Sequence, residues 1–167
     1  LNTLNTMIKI DADRAQEYIQ KMSSVFRYTL QNKEETLQED ELKFTLDYCL
    51  LMQIRYGDSL VFYIRTDKKY NNYLMVPLSI QKIVENAIKH NVITNRQPLT
   101  ISIYTDDNQR LTVVNAIQGK KEAEQGEGIG LANLTERYRL HFQQEPEVSC
   151  IDNTFKVSLP LIKPNNL

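Results

Sequence analysis

A short run of polar residues interrupts an apolar helical pattern between positions 78 and 91. Glu85 offers a carboxylate and Asn86 an amide, and one turn later Lys89 and His90 add a cation and an imidazole. Glu85 and Lys89 could form a surface ion pair that contributes about 0.2–0.5 kcal/mol. That explanation leaves Asn86, a residue of low helix propensity, without a role. An amide beside a carboxylate and before a cation suits a helix that meets a metal-bound phosphate.

Three glycines at alternate positions lead directly into another predicted helix. Gly126, Gly128 and Gly130 are followed at once by Leu131. Glycine lets the backbone approach a phosphate closely, and a helix N-terminus adds unpaired N–H groups and a partial positive charge. Such a run is equally often an ordinary loop, and no strand enters it as a dinucleotide-binding fingerprint requires. Combined with the polar helix, however, it predicts a flexible lid over bound Mg-ATP.

The two segments suggest a division of roles around Mg-ATP. Asn86 would bind Mg²⁺, while Lys89 and His90 would point toward the phosphates. Backbone N–H groups of the glycine run, with Leu131 beside them, would meet the β- or γ-phosphate. Glu85 could orient and deprotonate an incoming nucleophile, either water or an imidazole.

Composition narrows the class of protein. The 167 residues suffice for one good core, and the formal net charge of -1 argues against nucleic-acid binding through charge. The sequence has neither an apolar run long enough for a membrane span nor a signal-peptide pattern, which predicts a soluble segment. Cys49 and Cys150 are expected to be buried free thiols of a reducing cytoplasm. A start at Leu1 instead of Met suggests a piece of a longer polypeptide.

Hydrophobic periodicity predicts helices and strands along the whole chain. Asp11 or Asp13 is expected to cap the first helix, and Pro77 to take the first position of the helix that carries Glu85. Helices are predicted at residues 11–30, 39–56, 77–91 and 129–142, and strands at residues 60–65, 99–104, 111–114, 148–151 and 155–159.

The connections complete this prediction. Turns are expected at residues 106–108 and 152–153, and a mobile loop at residues 116–127. From position 37 onward, the order of elements suits helices packed on one face of a mixed sheet. The predicted fold class is therefore an α/β two-layer sandwich preceded by an N-terminal helical segment.

Four stretches in a fixed order match the motifs of one enzyme family. They are RYTL at 27–30, the helix from 37 that ends in RYGD, VPLSIQKIVENAIKHN at 76–91, and GIGLANL at 128–134 with Arg137 and Tyr138 behind it. Through these motifs, residues 36–160 resemble the ATP-binding domain of sensor histidine kinases. The similarity is to the branch with the LytS-type and YehU-type sensors. The polar helix resembles the N-box of the GHKL superfamily, which also contains gyrase, Hsp90 and MutL.

The resemblance implies a Bergerat ATP-binding fold with a mostly antiparallel mixed sheet over residues 36–167. Residues 1–35 would be a helical remnant of the dimerisation and phosphoacceptor region. The opening LNTLN resembles the end of the phosphoacceptor motif, whose histidine would then precede Leu1. His141 is a helical histidine near apolar residues and is more often structural than reactive. The apolar stripe of the first helix would pack either on a partner chain or on the ATPase domain.

One departure from the family pattern concerns the adenine. The family has an Asp-x-Gly-x-Gly box whose carboxylate accepts a hydrogen bond from the adenine amino group, and this chain has VNAIQG at 114–119. Asn115 stands where that Asp would fall, and its neutral amide oxygen is the weaker acceptor. Thr154 matches a family position near the adenine, although ordinary strand propensity also explains it.

By resemblance, the chain is the catalytic fragment of a bacterial two-component histidine kinase, with ATP and Mg²⁺ as cofactors. The implied partners are a response regulator, of the LytTR type, and a second copy in the full-length protein. A membrane would be reached only through missing upstream segments, so the expected location is the cytoplasmic side of an inner-membrane sensor. Two alternatives stay open. The chain could be a nucleotide-binding or dimerisation module that has lost phosphotransfer, or an ATP hydrolase of the gyrase and Hsp90 kind.

Overall fold

The secondary structure follows the predicted order closely. A computed structural model describes residues 4, 8, 9, 11–31, 33–119 and 129–164, so Gly126, Gly128 and most of the predicted loop lie outside the described residues. The helices are α1 (Ala12–Thr29), α2 (Gln38–Tyr56), α3 (Ser79–His90) and α4 (Ile129–Phe142). The strands are β1 (Thr36–Leu37), β2 (Leu60–Arg65), β3 (Leu74–Met75), β4 (Leu99–Thr105), β5 (Arg110–Ala116), β6 (Glu147–Ile151) and β7 (Thr154–Pro160).

Five strands form one sheet in the order β2-β4-β5-β7-β6. β2 pairs with β4 in parallel, and the other neighbouring pairs in this sheet are antiparallel. β1 and β3 form a separate antiparallel pair. A parallel pair needs a crossover connection, and here that connection contains α3. The helix with the predicted site is therefore fixed against the sheet by the chain topology.

The core lies between α3 and the sheet. Ile80, Ile83 and Val84 of α3 are fully buried in one cluster with alternating side chains of the central strands. Complete burial of such an aliphatic side chain contributes about 1.5–3 kcal/mol. In the five-stranded sheet, the residues of that cluster with no exposed surface are Leu99, Ile101, Ile103, Leu111, Val113, Val157 and Leu159. The predicted α/β two-layer sandwich with a mixed sheet is confirmed.

Both predicted hairpin turns are present. Between β4 and β5, the Asp106 carboxylate accepts hydrogen bonds from the backbone N–H groups of Asn108 at 2.9 Å and Arg110 at 3.1 Å. Between β6 and β7, Asp152 and Asn153 have φ angles of 47° and 58°. Asp and Asn tolerate this left-handed region better than most side chains do. Local side-chain chemistry thus sets both turns.

The start of α3 differs from the prediction. The helix begins at Ser79, so Pro77 lies outside it, and Leu78 between them is left-handed with a φ of 65°. Leu78 makes no side-chain capping hydrogen bond. The backbone N–H groups of Leu78 and Ile80 instead donate to the carboxylate of Glu41 in α2. A distant residue therefore decides where this helix starts.

The two cysteines have different environments. Cys49 is buried as predicted, and burial raises the pKa of its thiol to about 12. The expectation that Cys150 is buried was wrong, because its side chain is exposed. Cys150 belongs to β6, which lies at the edge of the sheet and has β7 as its one strand neighbour. The strand pattern around Cys150 could not show that its strand would lie at the edge of the sheet, where the side chain remains exposed.

α1 packs on α2 but leaves most of its apolar stripe uncovered. Asp11 caps it by accepting a hydrogen bond from the N–H of Arg14, and Lys21 forms an ion pair of 2.7 Å with Asp47 of α2. The stripe residues Ile19, Met22, Phe26 and Leu30 are between 45% and 70% exposed. Packing within the described part of the chain therefore does not account for this stripe. Among the helices of the described residues, none has the length and apolar character to cross a membrane.

Candidate functional site

α3 separates its apolar residues from its polar ones. Ile80, Ile83, Val84 and Ala87 face the core, as the helical spacing predicts. Of the predicted site residues, Lys89 is exposed, while Glu85, Asn86 and His90 are partly exposed. All four therefore lie on the side of α3 that a ligand can reach.

The Glu85 carboxylate is held by residues of the preceding turn. One oxygen accepts a hydrogen bond of 2.8 Å from the Gln81 amide, and the other lies 3.9 Å from Nζ of Lys82. The Glu85 side chain keeps 39% of its surface exposed. Burial raises the pKa of Tyr48 in α2, and the negative charge of Glu85 raises it further. Glu85 is thus oriented and open to solvent, as a proton acceptor requires.

Lys82 is a site residue that the sequence analysis missed. A Cβ added to Gly130 would clash with Cε of Lys82 and lie 3.2 Å from its Nζ. Any side chain at position 130 would therefore displace the end of Lys82. The sequence could have indicated Lys82, because it stands four residues before Asn86 and residues at that spacing lie on the same side of a helix.

The first turn of α4 contains Gly130, the one glycine of the run among the described residues, and the adjoining Leu131. Gly130 and Leu131 both lie in this turn, and the Leu131 side chain packs at the margin of the core. Further along α4, Arg137 donates a hydrogen bond of 3.1 Å to the carbonyl of Pro77. α4 is in this way fixed to the segment that precedes α3.

Asn91 joins the end of α3 to the start of the predicted lid. Its side chain is 5% exposed, and its amide donates a hydrogen bond of 2.7 Å to the carbonyl of Ala87. Its Oδ1 accepts from the N–H of Gln118, and the N–H of Val92 donates 2.8 Å to the carbonyl of Gln118. Asn91 is therefore a structural residue that fixes the segment leaving β5 onto α3.

Asn115 carries an unused buried acceptor. Its side chain is 3% exposed, and its amide nitrogen donates a hydrogen bond of 2.7 Å to the carbonyl of Ala116. Its Oδ1 is buried and has no hydrogen-bond partner among the described residues. A buried polar atom without a partner costs roughly 1–3 kcal/mol, so this oxygen favours an incoming donor. Thr154 opens β7 opposite Ala116, one position from Asn115.

Two cavities lie away from these residues. One of about 600 Å³ is on the sheet beside Tyr63, Arg65 and Tyr104. The other, of about 430 Å³, lies between α1, α2 and β2, beside Lys21, Leu46 and Phe62. Neither is lined by a predicted site residue, so the candidate site is defined by polar atoms on α3, α4 and β5. Within the described part of the chain, no group of three or more His, Cys, Asp or Glu side chains could hold a metal ion.

Comparisons with known proteins show the family of this chain. A family model described as histidine kinase matches residues 1–60. The sensor histidine kinase/phosphatase LytS of Staphylococcus aureus strain MRSA252 is 33% identical over 158 residues. That alignment covers 83% of this chain and 27% of the relative. LytS of strain N315 is 32% identical with the same coverage. The chain thus spans about a quarter of the length of the curated relatives it matches.

Solved structures with the same fold are also histidine kinases. The cytoplasmic segment of histidine kinase QseC has a TM-score of 0.55 at 13% identity, with 91% of this chain and 95% of that chain covered. The catalytic domain of histidine kinase ThkA also has a TM-score of 0.55, at 18% identity, with 78% and 100% covered. At these identities the likeness concerns the fold alone.

Replacing Asn91 tests its structural role. Asn91→Ala removes one donor and one acceptor and leaves buried backbone groups unpaired, so we expect the free energy of unfolding to fall by about 1–3 kcal/mol. Urea denaturation measures this change. The exposed Asn72→Ala is the matched control and should stay within about 0.5 kcal/mol of the parent chain. Equal stability of the two variants would contradict the assignment.

Proposed function

Because this chain is a member of the sensor histidine kinase family, we propose that it is the ATP-binding catalytic part of a two-component sensor kinase. In this proposal the chain binds Mg-ATP and directs the γ-phosphoryl group to a histidine that precedes Leu1 in the full polypeptide. Residues 36–167 form the ATPase domain, and residues 1–35 belong to the dimerisation and phosphoacceptor region. The phosphoryl group then passes to the aspartate of a response regulator.

The unpartnered oxygen of Asn115 carries the proposal. An adenine ring presents an exocyclic amino group, which is the donor that this buried acceptor lacks. Asn115 stands at the position where the resembled family places its adenine-binding Asp. Gly130 lacks the side chain that would displace the end of Lys82, so that ammonium group stays beside the first turn of α4, where a phosphate would bind. The residues present therefore fit an adenine nucleotide.

The polar residues of α3 would act on the other end of the nucleotide. Asn86 would offer its amide oxygen to Mg²⁺, which usually takes few protein ligands and completes its shell with phosphate oxygens and water. Lys89 and His90 would contact phosphate oxygens, as would the backbone N–H groups from Gly126 to Leu131. When bound, Mg-ATP supplies the phosphoryl group and the charge neutralisation that its transfer needs.

Glu85 would accept a hydrogen bond or a proton from the nucleophile. An attacking imidazole nitrogen must be unprotonated and correctly oriented, and a carboxylate within hydrogen-bond reach can secure both. Gln81 fixes one oxygen of Glu85 and leaves part of the carboxylate exposed toward solvent. This is a general-base role and does not require Glu85 to be buried.

The exposed stripe of α1 supports a homodimer. Ile19, Met22, Phe26 and Leu30 recur at helical spacing and stay largely exposed, which is typical of a helix that packs on a partner helix. The second copy of this chain is the partner we propose, together with a response regulator of the LytTR type. The segment would work on the cytoplasmic side of a membrane sensor.

One observation favours a second candidate function. A neutral amide at position 115 is a weaker adenine acceptor than a carboxylate, so nucleotide affinity could be too low for turnover. The chain would then act as a nucleotide-responsive or dimerisation module without phosphotransfer. The alternative of a gyrase-like or Hsp90-like hydrolase has no comparable support, because the histidine kinase model matches α1 and α2 as well.

Phosphotransfer separates the two candidates. In a longer polypeptide that includes the upstream histidine, we expect labelled phosphate to move from ATP to that histidine. Glu85→Gln should slow the transfer by about 10²–10⁴-fold because a general base is lost, while ATP affinity changes little. ATP binding without any transfer in the parent polypeptide would refute the kinase proposal and favour the module.

Calorimetric titration tests the role of Asn115. Asn115→Leu keeps the branched shape of the side chain but removes the acceptor, together with the donor to the Ala116 carbonyl. We expect ATP to bind about three- to tenfold more weakly, the effect of one neutral hydrogen bond. Asn115→Asp is the matched variant that retains an acceptor oxygen, so it should bind ATP at least as tightly as the parent chain. If the Leu variant binds ATP normally, this oxygen does not recognise adenine. Thermal unfolding of each variant controls for loss of fold.

The Mg²⁺ dependence of ATP binding tests Asn86. Asn86→Ala removes the proposed ligand oxygen, and we expect at least about threefold more Mg²⁺ to be needed for half-maximal ATP binding. Binding of ATP in the presence of EDTA should not change, since Asn86 acts through the metal. The exposed Asn72→Ala serves as the control. An unaltered Mg²⁺ requirement in Asn86→Ala would exclude Asn86 as the metal ligand.

A further inference from the structure

Glu41 of α2 is a buried carboxylate shared by three elements. It has no exposed surface. One of its oxygens accepts hydrogen bonds from the backbone N–H of Leu78 at 3.0 Å and from the hydroxyl of Tyr28 at 2.8 Å. The other accepts from the backbone N–H of Ile80 at 3.2 Å. α1, α2 and the start of α3 therefore meet at a single side chain.

Glu41 takes the place of a local cap on α3. The first N–H groups of a helix have no partner within the helix and are usually satisfied by the residue that precedes it. Leu78 cannot do this, since its side chain has no acceptor, and it is held in a left-handed conformation. Burial raises the pKa of Glu41, and the hydrogen bonds from Leu78, Tyr28 and Ile80 oppose that shift. The start of α3 consequently follows the position of Glu41.

Tyr28 is the contribution of α1 to this cluster. Its ring stacks on Phe44 of α2 with 4.3 Å between centroids and an interplanar angle of 17°. Its hydroxyl reaches both Glu41 and, at 3.1 Å, the hydroxyl of Thr36. Burial raises the pKa of Tyr28, so the phenol keeps the proton that it donates. A movement of α1 along α2 would shift or break this hydrogen bond.

From these contacts we infer that the Tyr28–Glu41 pair is a positioning link that couples the placement of α1 to the nucleotide-binding residues of α3. α3 is a continuous helix, and Asn86 lies six residues after Ile80, or about 9 Å along the axis. A shift at the first turn is therefore carried to Glu85 and Asn86. The other face of α1 carries the exposed apolar stripe, so contact with a second copy would act on the same helix. This inference rests on the proposed function of the α3 residues.

Tyr28→Phe is the variant that breaks the link and keeps the ring that stacks on Phe44. Tyr63 is 65% exposed on β2, so Tyr63→Phe makes the same chemical change away from the cluster and is the matched control. Hydrogen exchange of the nucleotide-free chain is the first measurement. We expect Tyr28→Phe to speed exchange in residues 79–86 by about fivefold or more relative to the β5 amides. An equal increase in α3 and β5 would indicate general destabilisation and would overturn the link, and so would no change.

The second measurement is Mg-ATP affinity by calorimetry at a temperature where every variant is folded. If the link acts through Asn86, Tyr28→Phe and Asn86→Ala each weaken Mg-ATP binding, and the double variant binds no more weakly than Asn86→Ala alone. If the losses of Mg-ATP affinity in Tyr28→Phe and Asn86→Ala add up in the double variant, the link does not act through Asn86. Should the parent chain fail to bind Mg-ATP while exchange changes as expected, the proposed function fails and the link from α1 to α3 stands.

Discussion

The structure depends on one requirement, which is that the unpaired backbone groups at the ends of α3 find partners. At its start, α3 cannot meet this requirement from the residue before it, because Leu78 offers no capping side chain. Glu41 supplies the partner at the start, and Asn91 supplies one at the end by bonding to Ala87 and to the segment after β5. Each partner ties α3 to another part of the fold. The helix that carries the candidate site is thus fixed at both ends by polar contacts and along one side by the core.

This arrangement separates stability from chemistry on a single helix. The buried face of α3, with Ile80, Ile83 and Val84, supplies the apolar contacts. Glu85 and Asn86 are partly exposed, and neither side chain belongs to the hydrophobic core. Because the buried residues carry the packing energy, the reactive residues can keep the solvent access and charge that a nucleotide site needs. Asn115 differs, because it is buried and its acceptor oxygen has no partner in the part of the chain that the structure describes.

Several features of the fold could be read from local patterns alone. The alternation of apolar residues located β4, β5 and β7 to within two residues, and helical spacing located α2 and α4. Asp106, Asp152 and Asn153 marked their turns because their short polar side chains bond to nearby backbone or tolerate a left-handed conformation. The prediction failed at Pro77 and at Cys150. In both cases the tertiary structure decided the outcome. Glu41 of α2 bonds to the first turn of α3, and β6, which contains Cys150, lies at the edge of the sheet.

The sequence by itself determined the fold class, the side of α3 on which Glu85 and Asn86 lie, and the family resemblance. These depend on residue types at fixed short spacings. Only the tertiary structure decided that Lys82 lies against Gly130 and that Asn91 is structural. It also decided that the Asn115 oxygen lacks a partner among the described residues, and that Tyr28 and Glu41 reach the start of α3. Glu41 and Leu78 are 37 residues apart in the chain. The contacts of such a pair follow from how α1, α2 and the sheet pack together, and no local pattern contains that information.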